Sequence, residues 1–376
     1  MNETPKKKLC LIKKTQKKQI PILKRKQNNL DDIKENNISN DEQLPELASL
    51  SIQSPIDYKV GTAGFYYKWW FGMKGNQLNL PSYYPSGLAE SRALAHYADE
   101  FSIVELNNTF YKLPTAVAVK EWYKKTPSNF KFIVKLGKFI TQDKKLIDFP
   151  NLFNEFWFDR VEHLKDKCAG ILVQMPPSFV YNPNKKGVDG LTTFERLRNA
   201  GLYIKSLNHD NKFNIPIFIE FRDPSWFVGK IYELLSEIGW SLVVVHINNQ
   251  LNELGKMNSG FSPQLDDIPI THRDHIYFRF HGTWPIAYHG GYTSEELTMV
   301  YNWAKSHNIK NGYFIFNNTD SFEGEICTEL TISKIPGKIM VDPDVLNYLG
   351  AIIPHAIFNA RQMNFIINTD IVNTEI

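Results

Sequence analysis

Over residues 1–56 the apolar positions follow no period, whereas from residue 58 onward they gather into short runs rich in β-branched and aromatic side chains. Eight such runs can be marked, at 58–62, 102–106, 130–135, 168–174, 216–221, 241–246, 275–280 and 312–316. Short continuous apolar runs of this kind predict strands buried on both faces. Between most of them lie helix-length stretches with one apolar face, at 88–101, 115–125, 152–165, 191–207, 230–238 and 294–307. In the first of these, Leu94, Ala95, Tyr97, Ala98 and Phe101 share a face. Thr192 with Glu195 three residues on, and Thr293 with Glu296, predict capping boxes at two helix starts. A last helix is expected over 345–360, followed by a frayed tail.

Eight strands alternating with helices over roughly 260 residues predict an α/β fold, a TIM-type (β/α)₈ barrel, regular or distorted. The competing doubly wound sheet needs a Gly-rich phosphate turn after an early strand. Here Gly61-Thr62-Ala63-Gly64 runs into Phe-Tyr-Tyr-Lys-Trp-Trp, too aromatic for a helix start that cradles pyrophosphate. The expected organisation is a disordered leader at 1–56, a barrel at 57–330, and a C-terminal helix and tail at 331–376.

Composition sharpens this picture in two places. The net charge is +3, yet residues 1–30 hold ten Lys/Arg and one acid, a balance of +9, leaving 3 − 9 = −6 for the other 346 residues. A basic leader on a mildly acidic body confines any broad nucleic-acid footprint to the leader. The three cysteines (Cys10, Cys168 and Cys327) form no CxxC pair, which suits a reducing compartment. No apolar run reaches about 18 residues and no secretory pattern opens the chain, so a membrane partner is not expected. The expected location is the cytoplasm, with the nucleus as the alternative that the Lys-rich leader suggests.

The ends of the strand runs carry recognisable motifs. Gly61-Thr62-Ala63-Gly64-Phe65-Tyr66 precedes Tyr83-Tyr84-Pro85; Val104-Glu105-Leu106-Asn107 precedes Thr109-Phe110-Tyr111 and Leu113-Pro114. Trp122, Thr126-Pro127, Phe130-Lys131-Phe132 and Lys135 follow, then Gln174-Met175-Pro176-Pro177-Ser178-Phe179 and Glu220-Phe221-Arg222-Asp223-Pro224-Ser225-Trp226. Tyr277-Phe278-Arg279-Phe280-His281-Gly282 and Phe316-Asn317-Asn318 complete the series. Together, in this order, they resemble the YecE-like family (domain of unknown function 72). The resemblance implies a TIM-type barrel and implies no reaction. Against the family pattern, Ala63 and Phe65 replace Ser and Trp, Gln142 stands for a His, His246 for an Asp, and the stretch after Asn318 departs from a Gly/Ala-rich continuation.

In such a barrel the reacting groups sit at the C-terminal strand ends. Those ends supply Glu105, Asn107, Lys135, Gln174, Glu220, Arg222, Arg279, His281 and Asn317. Glu105 and Glu220 are candidate acid and base, as in glycoside cleavage, and His281 is a candidate proton carrier. Arg222, Arg279 and Lys135 would bind an anion, with Asn107, Gln174 and Asn317 orienting it. Tyr111 and Trp226 are aromatic platforms for a sugar or base. The competing reading pairs both carboxylates with the arginines as buried structure. His281 and His246 with a glutamate could ligate a divalent metal, though their long-range spacing assigns no metal site and no other cofactor is identifiable. Three functions follow as expectations. The first is a hydrolase or lyase acting on an anionic, phosphorylated or sugar-like small molecule. The second is a nucleic-acid-binding or phosphodiester-processing protein using the Lys-rich leader. The third is a non-catalytic barrel binding a ligand or partner.

Overall fold

A computed structural model of the chain describes residues 57–71, 82–210, 212–246, 265–282, 288, 290–319 and 354–374. The leader, Cys10, Cys327 and residues 320–353 lie outside the described residues. So do Trp284, His289 and the side chain of His246.

Eight strands close into a parallel barrel in sequence order. They are β1 (Asp57–Ala63), β2 (Ile103–Leu106), β3 (Lys131–Lys135), β4 (Cys168–Gln174), β5 (Ile217–Glu220), β6 (Ser241–His246), β7 (His275–Phe280) and β8 (Asn311–Phe316). The barrel closes through β8 onto β1, with Val60 opposite Phe314. Helices surround it: α1 (Ala93–Glu100), a short α2 (Asn108–Tyr111), α3 (Ala116–Lys124), α4 (Phe149–Trp157), α5 (Thr193–His209), α6 (Gly229–Ile238), α7 (Ser294–Ser306) and α8 (His355–Thr374). No helix among the described residues is long and apolar enough to cross a membrane.

Local chemistry accounts for the element ends. Thr192 accepts from the Glu195 amide at 3.2 Å while the Thr192 amide donates to the Glu195 carboxylate at 2.7 Å. Thr293 and Glu296 repeat this box at α7, and Gly239 ends α6 with a left-handed φ of 73°. Gly61 is required where β1 meets β2, because a Cβ there would lie 2.0 Å from the Ile103 carbonyl oxygen. That close approach lets the Tyr97 hydroxyl accept the Thr62 amide at 2.8 Å, locking α1 to β1.

Two helices differ from the sequence expectation. The stretch 152–165 is not one helix: α4 ends at Trp157, and Lys165 turns to a φ of 50° in the segment that follows. The last helix begins at His355 and continues to Thr374, where a frayed tail was expected. Pro354 explains the start. It cannot donate inside a helix, and its carbonyl instead accepts from the Ile357 and Phe358 amides at the first turn. Ala356, Ile357, Ala360 and Met363 are buried. Asn359 ties α8 to the strand–helix loops through Tyr292 and Asn318.

Strand parity then sorts the barrel. Val104, Phe132, Val134, Ile171 and Ile219 belong to the cluster facing the helices, whereas Ala63, Ile103, Ile133, Leu172, Phe218, Tyr277 and Ile315 form the separate interior cluster. Two residues on, at the same parity, stand Glu105, Lys135, Gln174, Glu220, Arg279 and Asn317. The barrel interior is therefore an apolar layer capped by a polar one at its C-terminal end.

Candidate active site at the barrel mouth

Arg279 is the centre of the polar layer and is 1% exposed. Its Nε and Nη2 donate to the two oxygens of Glu105 at 2.9 and 2.8 Å, a bidentate fork. Its Nη1 donates to Glu220, whose other oxygen accepts from Arg222 Nε at 2.8 Å. The Tyr277 hydroxyl, one layer below, donates to Glu105. Both carboxylates are fully buried and fully engaged. Burial alone would raise the pKa of Glu220, but Arg279 and Arg222 outweigh it and hold the carboxyl well below its usual range. Burial would also discharge Arg279, but Glu105 and Glu220 keep its guanidinium charged. Two guanidiniums and two carboxylates sum to zero among these four residues.

His281 belongs to the same floor. Asn317 Nδ2 lies 2.9 Å from His281 Nδ1, which places the imidazole proton on Nε2. Burial and the charge of Arg279 keep the ring neutral, so its 4.0 Å approach to Glu220 is not an ion pair. Nε2 is buried with no hydrogen-bond partner.

Lys135, at the end of β3, differs from all of these. It is 9% exposed. Its amine makes no hydrogen bond or ion pair among the described residues. Its contact is with the Phe110 ring, 4.2 Å from Nζ to the ring centre. Burial first, and the charge of Arg279 second, bring its pKa down to about 7. Lys135 opens onto a cavity of about 740 Å³ shared with Arg279, Asn107 and Asn317 and walled by Phe65, Tyr67, Trp122 and Tyr288. Asn107 Oδ1 is buried without a partner. Tyr111, 80% exposed, stands at the rim of the same cavity.

Of the residues expected from sequence, the structure brings Asn107, Tyr111, Lys135, Arg279 and Asn317 to this cavity. Glu105, Gln174, Glu220, Arg222 and His281 lie behind or beside it and do not line it. Trp226 is corrected outright as a ligand platform. It is fully buried, Phe179 and Phe221 stack in parallel on it at 4.9 and 4.6 Å, and its indole N–H donates to the Phe179 carbonyl. Glu105 and Glu220 both accept from guanidiniums and neither lines the cavity, which matches the expectation of buried ion pairs. Gln142, at a departure from the family pattern, donates from Nε2 to the Gln174 carbonyl at 2.9 Å and so bridges β4 to the wide π-helical turn Phe139–Asp143. Among the described residues no group of three or more His, Cys, Asp or Glu could hold a metal ion.

The cavity wall also holds Phe65 and Trp122, which the motifs name without a role, and Tyr288, which motif reading passed over. Phe110 and Tyr277, which contact Lys135 and Glu105, were also missed in these roles. Tyr277 carried a signal, since it shares the inward parity of Arg279. Tyr288 carried none, because its place depends on a left-handed φ of 71° in a loop.

The family model for the protein of unknown function DUF72 matches residues 59–325, which spans the whole barrel. The chain belongs to the DUF72 family. A curated relative, the UPF0759 protein YunF of Bacillus subtilis (strain 168), is 28% identical over 263 residues, covering 63% of this chain and 84% of YunF. Among solved structures, a DUF72 family protein of Enterococcus faecalis V583 superposes with a TM-score of 0.53 at 19% identity, covering 84% of this chain and 98% of that one. A DUF72 family protein of Thermotoga maritima MSB8 gives 0.52 at 24% identity, over 83% and 99%. These likenesses show the fold.

Proposed function

We propose that this DUF72 protein is an enzyme, a lyase or hydrolase, that takes a small anionic, phosphorylated or sugar-like substrate into the barrel mouth and uses Lys135 as its proton-transfer group. The observation that carries this reading is the amine of Lys135, without a polar partner among the described residues, against a 740 Å³ cavity and beside carboxylates already engaged by guanidiniums. A buried amine with no partner costs stability, and a pKa of about 7 suits proton transfer at neutral pH. With Lys135 neutral the floor carries no net charge. With Lys135 protonated it carries one positive charge, which favours an anion. Anion entry and proton uptake at Lys135 are therefore linked. Glu105, Glu220 and Arg222 act by holding Arg279 in place, and Asn107 and Asn317 offer the substrate an acceptor and a donor. The aromatic wall suits the apolar face of a sugar or a similar ring.

The test is a melting-temperature screen of phosphorylated and carboxylated sugars and oxo acids, followed by turnover assays on the ligands that stabilise the protein. For those ligands K135M should lose about 10²–10⁴-fold in turnover, the share general acid–base catalysis supplies. If no anion shifts melting, or if K135M turns over at the wild-type rate, the reading is wrong.

A further inference from the structure

We propose that Lys135 is also a nucleophile, forming an imine with an anionic aldehyde or ketone in the cavity. The inference rests on the proposed function, since it assigns that site a substrate class.

A lysine held for its charge is paired, and Lys167 in this chain shows what that looks like. Its ammonium donates to the Tyr123 carbonyl in the last turn of α3 at 2.6 Å and to the Thr126 carbonyl just beyond it at 2.7 Å. Lys135 is buried to a similar degree and has neither kind of partner among the described residues, although the carboxylates of Glu105, on the adjacent β2, and Glu220, two strands away on β5, stand in the same layer. The guanidiniums of Arg279 and Arg222 engage those carboxylates instead. One side of the amine rests on the Phe110 ring and the other opens to the cavity. Desolvation next to a cationic group is the arrangement that frees a lysine lone pair for attack on a carbonyl. Asn317 and Lys125 line the same cavity and can donate to a carboxylate or phosphate attached to that carbonyl. Asn107 Oδ1, buried without a partner, supplies an acceptor for the hydroxyl that forms first.

The step balances without an outside reagent. The neutral Nζ adds to the carbonyl carbon as the carbonyl π pair moves to oxygen, which takes up a proton and gives a carbinolamine. The C–O bond then breaks, the oxygen leaves as water with a second proton, and the nitrogen lone pair closes the C=N bond. The first proton passes to that oxygen from the attacking nitrogen and the second comes from solvent, so amine, carbonyl and one proton yield a protonated imine plus water, and no atom is oxidised or reduced. The resulting iminium withdraws electrons from the adjacent carbon, which is what bond cleavage or proton abstraction there needs.

The experiment treats the full chain at pH 7 with glyoxylate as the probe and traps any imine with cyanoborohydride, with the labelled residue found by peptide mass spectrometry. Phosphate binding and its proton uptake are measured in parallel by calorimetry. Lys135 should label roughly tenfold or more faster than any other lysine, because it holds a far larger neutral fraction at that pH than an ordinary lysine. Phosphate should protect it. K135R, checked for folding by its melting curve, should lose that label and keep the others. If phosphate binds with proton uptake but Lys135 labels no faster than surface lysines, the imine is overturned while the proposed function stands. If phosphate neither binds nor protects and Lys135 is unlabelled, both fall.

Discussion

The barrel mouth holds two kinds of charge side by side. On one side Glu105, Arg279, Glu220 and Arg222 satisfy one another in a closed set. On the other, Lys135 has comparable burial and no polar partner among the described residues. The difference separates structure from chemistry. Paired buried charges have already used their donors and acceptors, so they fix geometry and have little to give a substrate. An unpaired buried amine costs stability and keeps its lone pair, a combination expected where function is exchanged for stability.

Substitutions should break this contrast in opposite directions. R279M leaves Glu105 and Glu220 buried without their shared partner, and chemical denaturation should show a loss of about 3–5 kcal/mol. W226A, which empties the slot between Phe179 and Phe221, should cost a similar ~3–5 kcal/mol. K135M should do the reverse, removing turnover by about 10²–10⁴-fold while stability at pH 7 holds or rises.

The pH dependence sharpens the same comparison. In the unfolded chain the lysine amine keeps its proton to its ordinary value of 10.5, whereas in the folded barrel it releases it at about 7. Between those values the unfolded state binds more protons, so Lys135 adds stability as pH rises, by about 1.4 kcal/mol per unit. K135M should lack that slope relative to wild type. Glu220 acts at the other end. Its folded pKa is depressed, so its contribution is present above the ordinary 4.5 and is lost as pH falls below it. His281, held neutral, adds to acid loss below its ordinary 6.5, because the unfolded chain then binds a proton the folded one refuses. Phosphate binding near pH 8 should take up about one proton per anion, read from the buffer dependence of calorimetric heats. The smallest effect belongs to Tyr111, whose exposed ring contributes little to the fold. Y111A should change stability by less than about 0.5 kcal/mol and weaken ligand binding by about 1 kcal/mol.

The fold was largely legible because a parallel barrel writes each strand as an apolar run, and every predicted run overlaps its observed strand closely. The polar residues at strand ends were legible for the same reason. Their partners were not. Glu105 and Arg279 meet across 174 positions of sequence, and no local pattern says whether a strand-end carboxylate faces a cavity or a guanidinium. Strand parity would have gone part of the way. It puts Glu105, Lys135, Glu220 and Arg279 inside together, and sets Thr62, which bonds to Tyr97 of α1, on the helix side. Trp226 was misread because its neighbours Phe221 and Phe179 come from separate loops, so its aromatic character suggested a ligand where it serves packing.

The most direct measurement of the central claim is the titration of Lys135 itself, by competitive acylation of the intact protein across pH 5–11 with the Lys135 peptide quantified by mass spectrometry. The account predicts a midpoint near 7 for Lys135, moved upward by saturating phosphate. A midpoint near the ordinary 10.5, unchanged by phosphate, would mean that Lys135 is a charged structural lysine, and would contradict the account.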